Sequence, residues 1–476
     1  MYTKKVYFLI ETKKRELNSQ LIVIKELIQK NIDCYIISKK QFLSKLDVIN
    51  PGVVLLKSIG SRNINFIKNL KKKGHKLVCL DSEGISILHK KQVKDRVCKE
   101  NLAEIEYFFC WGNYSSNILK NYFPKFSKKL ITTGNPKFDL IKNFERNKIY
   151  NFEAKKIKKN YGNYLLFLTM FTVFNPLKRY GFLTKKQSLA TIGFKDDKTL
   201  IKLGAKFYDF QKKNINFFIS SIKYISEKFK NKSIIIRPHP TENLDFWEEK
   251  FLKFKNVKVV YDSLDTVSWL LASDLNISIN CTTSLESYLL NKRSLNLVKY
   301  SDRSIEYDWI LKTSTKINSF KNLEKAVKKK NKSTNIEKNK INKYLYNLKK
   351  KSNSAKIIAK HIDKKCFFSL ENKRNKFRYF RSKIYKSLKS VKILKEDTIY
   401  SQKIGSINDQ DIKNRLNLFE GKKSMKIKEF YPDFKYTLFT KRSELDDFFN
   451  TLLLEYPEIL ETYQQIPQII ARGIDN

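Results

Sequence analysis

The sequence predicts an α/β protein made of two doubly wound parallel-sheet units in tandem. Three observations carry this. Short β-branched runs alternate with amphipathic helical stretches over the first 300 residues, the rhythm of parallel βα units. That rhythm breaks at a polar, lysine-rich stretch and then restarts. Chemically distinctive residues also cluster directly after several strands, which is where open α/β sheets bind ligands.

The first unit opens with a strand over 5–11 (KVYFLIE), an amphipathic helix around 15–30 and a second strand at 33–38. Strands follow at 52–58, 76–81, 107–111 and 129–132, each a brief apolar run with helical sequence between. Residues 143–163 are polar and lysine-rich and read as the connection. The second unit then brings strands at 164–170, 233–237, 257–261, 275–280 and 294–298, with a long helix near 200–230. Strand signals fade from about Thr313, and lysine-rich helical sequence runs to the end. The expected domains are therefore 1–145, 160–312 and a basic helical extension over 313–476.

At 476 residues the chain suffices for two or three domains with a large core. Hydrophobic residues at 41% and aromatics at 13% exclude a disordered chain. Lys plus Arg number 96 against 47 Asp plus Glu, a net charge of +49 that points to polyanionic surroundings. Over-used Lys, Asn and Ile with scarce Gly and Pro are also what an AT-rich genome encodes. No RNA-binding motif accompanies the charge, so no specific nucleic acid is expected. The six cysteines are far apart and lack a CxxC pair, as reduced thiols of a cytoplasmic protein would be, not a disulfide framework or zinc site. Residues 1–11 read as a strand rather than a signal peptide. No apolar run approaches the ~20 residues of a membrane span.

Three clusters stand at strand ends. Asp81-Ser82-Glu83-Gly84 follows the strand at 76–81. A carboxylate there suits proton abstraction from a sugar hydroxyl, and Gly84 allows a sharp turn or close ligand approach. An acidic N-cap with a turn glycine is the bland alternative. Arg237-Pro238-His239-Pro240 ends the run Ile234-Ile235-Ile236. Arg237 suits bidentate phosphate binding, and His239 suits donation to a leaving phosphate. The alternative is a loop leading into a capped helix. Asn280-Cys281-Thr282-Thr283-Ser284-Leu285-Glu286 opens a helix, offering hydroxyls and free N–H groups to an anion. Glu286 then either accepts from ribose hydroxyls or closes a capping box with Thr283. Asp409-Gln410-Asp411 reads as a helix cap, so neither metal nor cofactor is expected.

In order and spacing these motifs resemble those of the bacterial surface carbohydrate biosynthesis protein family, similar to Kdo transferases and bacterial sialyltransferases of GT-B fold. The resemblance covers roughly residues 1–310 and includes Gly134-Asn135-Pro136-Lys137-Phe138-Asp139, where Asn135 supports the cleft. It implies a GT-B-like fold with two Rossmann-like domains facing a cleft, the first on the acceptor side and the second binding the nucleotide sugar. It implies a metal-independent glycosyltransferase of lipopolysaccharide or capsule synthesis, moving an acidic sugar from a CMP-sugar to a glycan or lipid-linked glycan acceptor. By the resemblance the base is the carboxylate of the acidic turn, Asp81 or Glu83, with Ser82 standing where relatives often carry another carboxylate. His239 with Thr283 and Ser284 would bind the donor's phosphate, and Thr282, Arg237 and Glu286 complete the donor site. The alternatives are a CDP-glycerol-type polyol-phosphate transferase, whose Asp-Tyr before the serines is absent here, and a non-catalytic nucleotide- or glycan-binding scaffold.

Residues 373–395 (KRNKFRYFRSKIYKSLKSVKILK) hold ten basic and no acidic residues. Phe377, Phe380, Ile384, Leu388 and Val391 recur at helical spacing, forming a basic amphipathic helix suited to an anionic membrane surface. Packing of that stripe on the protein body is the alternative.

Overall fold

The structure is a computed structural model. It describes residues 2–369 apart from 48, 89–91, 143–147, 178–183, 187–197, 263, 330–340, 347 and 349–352, together with Arg415. After a short strand β1 (Tyr2–Thr3), the first unit comprises β2 (Lys5–Ile10), α1 (Lys13–Ile28), β3 (Asp33–Ser38), α2 (Lys39–Ser44), β4 (Val53–Leu56), α3 (Ile64–Lys72) and β5 (Lys76–Leu80). It continues with α4 (Gln92–Arg96), α5 (Lys99–Glu104), β6 (Tyr107–Cys110), α6 (Asn113–Tyr122), β7 (Leu130–Thr132) and α7 (Pro136–Lys142). Its six strands pair in parallel in the order β3-β2-β4-β5-β6-β7.

The second unit runs from α8 (Lys148–Tyr161) through β8 (Tyr164–Leu168), α9 (Lys198–Lys228), β9 (Ser233–Arg237), α10 (Leu244–Phe251), β10 (Val257–Val259), α11 (Thr266–Ala272) and β11 (Leu275–Ser278). Then come α12 (Thr283–Leu289), β12 (Ser294–Leu297), α13 (Asp308–Thr313), β13 (Thr315–Ile317) and α14 (Phe320–Lys328). Its parallel order is β10-β9-β8-β11-β12-β13. Both faces of each sheet carry helices, and strands such as Tyr164–Leu168 are buried at every position, which explains their unbroken apolar runs. The fold is thus two Rossmann-like units, GT-B-like as expected. In each sheet the strand order reverses once, between β2 and β4 in the first and between β8 and β11 in the second. Ligand crevices form at such reversals.

Three features depart from the sequence reading. The second sheet extends beyond residue 312: Thr315–Ile317 is its edge strand, too short and too polar for periodicity to reveal. The stretch at 143–163 contains a full helix, Lys148–Tyr161, packed on α11. Finally, the chain returns to the first unit. Helix α15 (Ser354–Asp363) packs on α1 and α7, and β14 (Phe368–Ser369) pairs antiparallel with β1. Residues 373–395 and Asp409 and Asp411 lie outside the described residues. Among the described residues no helix is long and apolar enough to cross a membrane.

One apolar core runs through both units, from Val6, Phe8 and Leu21 through Phe138 and Tyr150 to Leu166, Ile235 and Trp269, and takes in Ile358 and Ile362 of α15. Two glycines admit the returning chain. A Cβ on Gly112 would lie 2.3 Å from the Tyr344 carbonyl oxygen, and one on Gly134 would lie 2.3 Å from Ser354 Oγ. Gly134 also has φ +84°, a left-handed conformation that penalises any side chain. Gly134→Ala should therefore cost at least about 1–2 kcal/mol in a urea denaturation. Wild-type stability in that variant would show that the return is not packed against this turn.

Candidate functional site

The motif Gly134–Asp139 is where the two units are joined, and each side chain has a separate task. Asn135 Oδ1 accepts the Lys137 amide at 2.8 Å and caps α7, which Pro136 opens with its fixed φ. Phe138 packs edge-on against Trp111, 5.4 Å between centroids. Asp139 accepts from the Ser354 hydroxyl and the Ala355 amide, both at 3.1 Å, and so caps α15. Burial pushes its carboxyl up to about 6, against the pull of Lys142 and those donors. Lys137 reaches across to the second unit and binds Glu286 Oε1 at 2.8 Å. Burial alone would lower the Lys137 ammonium, but Glu286 and then Asp265 more than offset this, and it lies above its ordinary value.

The acidic turn is held from both sides. Trp111 Nε1 donates to the Asp81 carbonyl at 2.6 Å, and a Cβ on Gly84 would lie 2.4 Å from the indole. The glycine is needed for this close packing on Trp111 rather than for a left-handed turn. Asp81 is buried; it pairs with Arg96, which also donates to the Ser86 carbonyl, and it accepts the Glu83 amide at 3.1 Å. Glu83 is exposed. From the second unit Trp309 Nε1 donates to the Ile85 carbonyl at 3.2 Å, and Tyr307 stacks on Trp309. Burial raises the Tyr307 phenol above its ordinary range, and the Glu83 carboxylate adds to that; Arg96, Ser86 and Cys281 act on it too. The Tyr307–Trp309 pair of the second unit thus lies against the acidic turn of the first.

In the second unit the loops after β8, β9 and β11 surround the strand-order reversal. The His239 amide donates to Thr169 Oγ1 at 3.1 Å, tying the β9 loop to the β8 loop. His239 Nδ1 accepts the Thr241 amide at 3.3 Å and lies 2.9 Å from the Thr241 hydroxyl. With Nδ1 engaged as an acceptor, the proton of the neutral ring belongs on Nε2, which is then a donor. Glu242 locks both loops: it accepts the Phe171 amide at 2.8 Å and the Trp247 indole N–H at 2.9 Å. Burial pushes its carboxyl up to about 7 despite those donors.

The remaining residues divide. Arg237 is buried, paired with Asp262 at 2.9 Å and set over the Trp269 ring at 4.9 Å, so it braces the strand end instead of presenting a free fork for phosphate. Ser284 is fully buried, 3.2 Å from the Ser278 hydroxyl in the core. Thr282 is half-buried at the N-cap of α12 with no side-chain capping bond, and Thr283 sits beside the Cys281 thiol. Glu286 closes no capping box: Oε1 holds Lys137, while Oε2 is buried and accepts nothing among the described residues. Asn280 has φ +42°, and its amide donates to Asn296 Oδ1.

Sequence reasoning missed a second polar group, at the reversal of the first sheet. Lys57, just after β4, binds Glu11 at 2.7 Å and Glu16 at 3.3 Å, and its carbonyl accepts the Ser82 amide. Burial opposes the Lys57 charge, yet the two carboxylates hold it above its ordinary value. The available signal was position: Glu11 and Lys57 both directly follow strands that flank the reversal. Among the described residues no group of His, Cys, Asp and Glu could hold a metal ion.

No family model matches the chain, and no curated protein matches it significantly. Solved structures similar to it include the wall teichoic acid polymerase TagF, at 12% identity and TM-score 0.48 over 76% of this chain and 89% of that one. The UDP-GlcNAc 2-epimerase from Neisseria meningitidis bound to UDP-GlcNAc has 14% identity and TM-score 0.47 over 76% and 100%. The Methanocaldococcus jannaschii UDP-GlcNAc 2-epimerase, in complex with UDP-GlcNAc and UDP, has 13% identity and TM-score 0.45 over 75% and 98%. At such scores none of these activities transfers to this chain, and the site is read from its own residues.

Glu242 gives the site a pH signature. Its folded pKa lies above the unfolded value, so the folded state holds the proton more tightly between about 4.5 and 7. Its contribution is fully present below that window and lost as pH rises through it, amounting to about 3 kcal/mol. The melting temperature should fall from pH 5 to pH 7.5, and Glu242→Gln should flatten that slope. An identical slope in both proteins would remove Glu242 from this role.

Proposed function

We propose that this chain is a metal-independent glycosyltransferase of bacterial surface polysaccharide synthesis, transferring an acidic sugar of the Kdo or sialic acid type from its CMP form to a glycan acceptor. The observation that carries the reading is the contact between the acidic turn of the first unit and the Tyr307–Trp309 pair of the second, near the C-terminal ends of two parallel sheets. Glu83 is the base that takes the acceptor hydroxyl's proton, since Asp81 is committed to Arg96. His239, donating from Nε2, and the Thr282 and Thr283 hydroxyls stabilise the departing phosphate. Glu286 Oε2 accepts from the ribose. Arg237 and Asn135 position these groups without touching substrate, and Ser284 supports the loop from the core.

Displacement at the anomeric carbon transfers the sugar to the acceptor oxygen and leaves CMP with an added negative charge. Fixed donors aimed at that charge lower the barrier, typically by ~3–4 kcal/mol each. Melts with CMP, CDP, UDP and GDP test the nucleotide, because ligand at 100 times its Kd adds ~2.7 kcal/mol. CMP should stabilise the protein, His239→Ala should abolish the shift, and Glu83→Gln should keep it while lowering turnover ~100-fold or more. Stabilisation by CDP with CDP-glycerol turnover would favour a polyol-phosphate transferase. A response to UDP or GDP alone would sink the cytidine assignment, and nucleotide binding with no turnover would leave a scaffold.

The basic stretch at 373–395 docks the enzyme on an anionic membrane, where a lipid-linked acceptor resides. In liposome flotation the full chain should float with anionic vesicles and not with neutral ones, and deletion of 373–395 should abolish this. Flotation indifferent to lipid charge or to the deletion would refute the docking role.

A further inference from the structure

Outside this site the first unit carries a groove of about 460 Å³ along α6, within the roughly 300–1,000 Å³ of small-molecule sites. Its lining is a double ladder. Asn113, Asn117 and Asn121 recur at intervals of four residues, and Tyr114, Ile118 and Tyr122 form a parallel row beside them. On a helix each row makes one stripe, about 12 Å long. The asparagines are exposed, and their amides offer donors and acceptors together. The tyrosines offer flat apolar faces with a polar edge.

Tyr114, the first of the aromatic row, is fixed in place from behind. Tyr114 lies edge-on to Tyr344 at 5.1 Å, and Tyr344 donates to Asp308 Oδ2 at 2.7 Å. Lys343, which closes the groove, sits over the Tyr344 ring at 4.9 Å. A pyranose has matching surfaces: a hydroxyl edge for amides and a C–H face for aromatic rings. Among the described lining residues Lys343 is the one cation, which suits a largely uncharged chain better than a polyanion.

The groove also lies beside the acidic turn. Helix α6 begins two residues after Trp111, which holds the Asp81 carbonyl, and Asp308 adjoins Trp309, which holds the Ile85 carbonyl. We infer that the α6 groove binds an oligosaccharide and, on the transferase reading above, that this is the acceptor chain, seated so that its growing end reaches Glu83.

The test is retention of the full-length protein on an array of immobilised neutral and acidic bacterial oligosaccharides. Wild type should retain at least one glycan, and the exposed pair Asn117→Ala/Asn121→Ala should weaken that retention at least tenfold. The CMP melt shift should stay unchanged in the pair. Tyr114→Ala should act in the same direction, but it also touches packed residues, so the asparagine pair is decisive. Wild type that retains no glycan, or an asparagine pair that retains it equally, overturns the groove. Glycan retention lost in the pair, in a protein that no nucleotide stabilises, would uphold the groove while the transferase reading fails.

Discussion

The ion pair between Lys137 and Glu286 is the constraint on which the arrangement of this molecule depends. Both groups are withdrawn from water, and each lies in a loop-to-helix junction of a different unit. A buried pair gains little over apolar packing, but removing one partner typically costs about 3–5 kcal/mol because the other charge is stranded. The pair therefore specifies geometry more than it adds stability. Phe138 and Asp139, next in sequence to Lys137, carry that geometry to Trp111 and to α15. Trp111 in turn holds the acidic turn. A single six-residue motif thus fixes the interface, the returning helix and the acidic turn together.

Much of the scaffold was legible in sequence. Strands buried on both faces need continuous apolar residues, and the runs Val53–Leu56, Lys76–Leu80 and Ser233–Arg237 announce themselves. The edge strand Thr315–Ile317 does not, because an edge needs only one buried residue, Ile317. The pairing of β1 with β14 joins residues more than 360 positions apart, and no local pattern encodes such a contact.

The strand-end positions of the candidate residues were legible, but the partners of their side chains were not. Sequence places Asp81, Glu83, Arg237 and Ser284 at strand ends alike. Which of them faces solvent depends on partners outside the motifs: Arg96 for Asp81, Asp262 and Trp269 for Arg237, Ser278 for Ser284. Glu242, which no local pattern singles out, is the buried clamp of two loops. The Gly134–Asp139 motif reads in sequence only as a support of the cleft. Its significance lies in Ser354, Trp111 and Glu286, none of which is its neighbour in sequence.

The return of the chain to its first unit has a mechanical consequence. Among the described residues the chain links the units between α7 and α8 and again between α14 and the segment lying on Gly112, and Arg415 bonds both Asn18 of α1 and Glu153 of α8. Such links, with one apolar core running between the units, hold them in a single orientation more firmly than one tether could. Moving either unit alone would therefore disturb the chain links, the shared core and the Lys137–Glu286 contact at once.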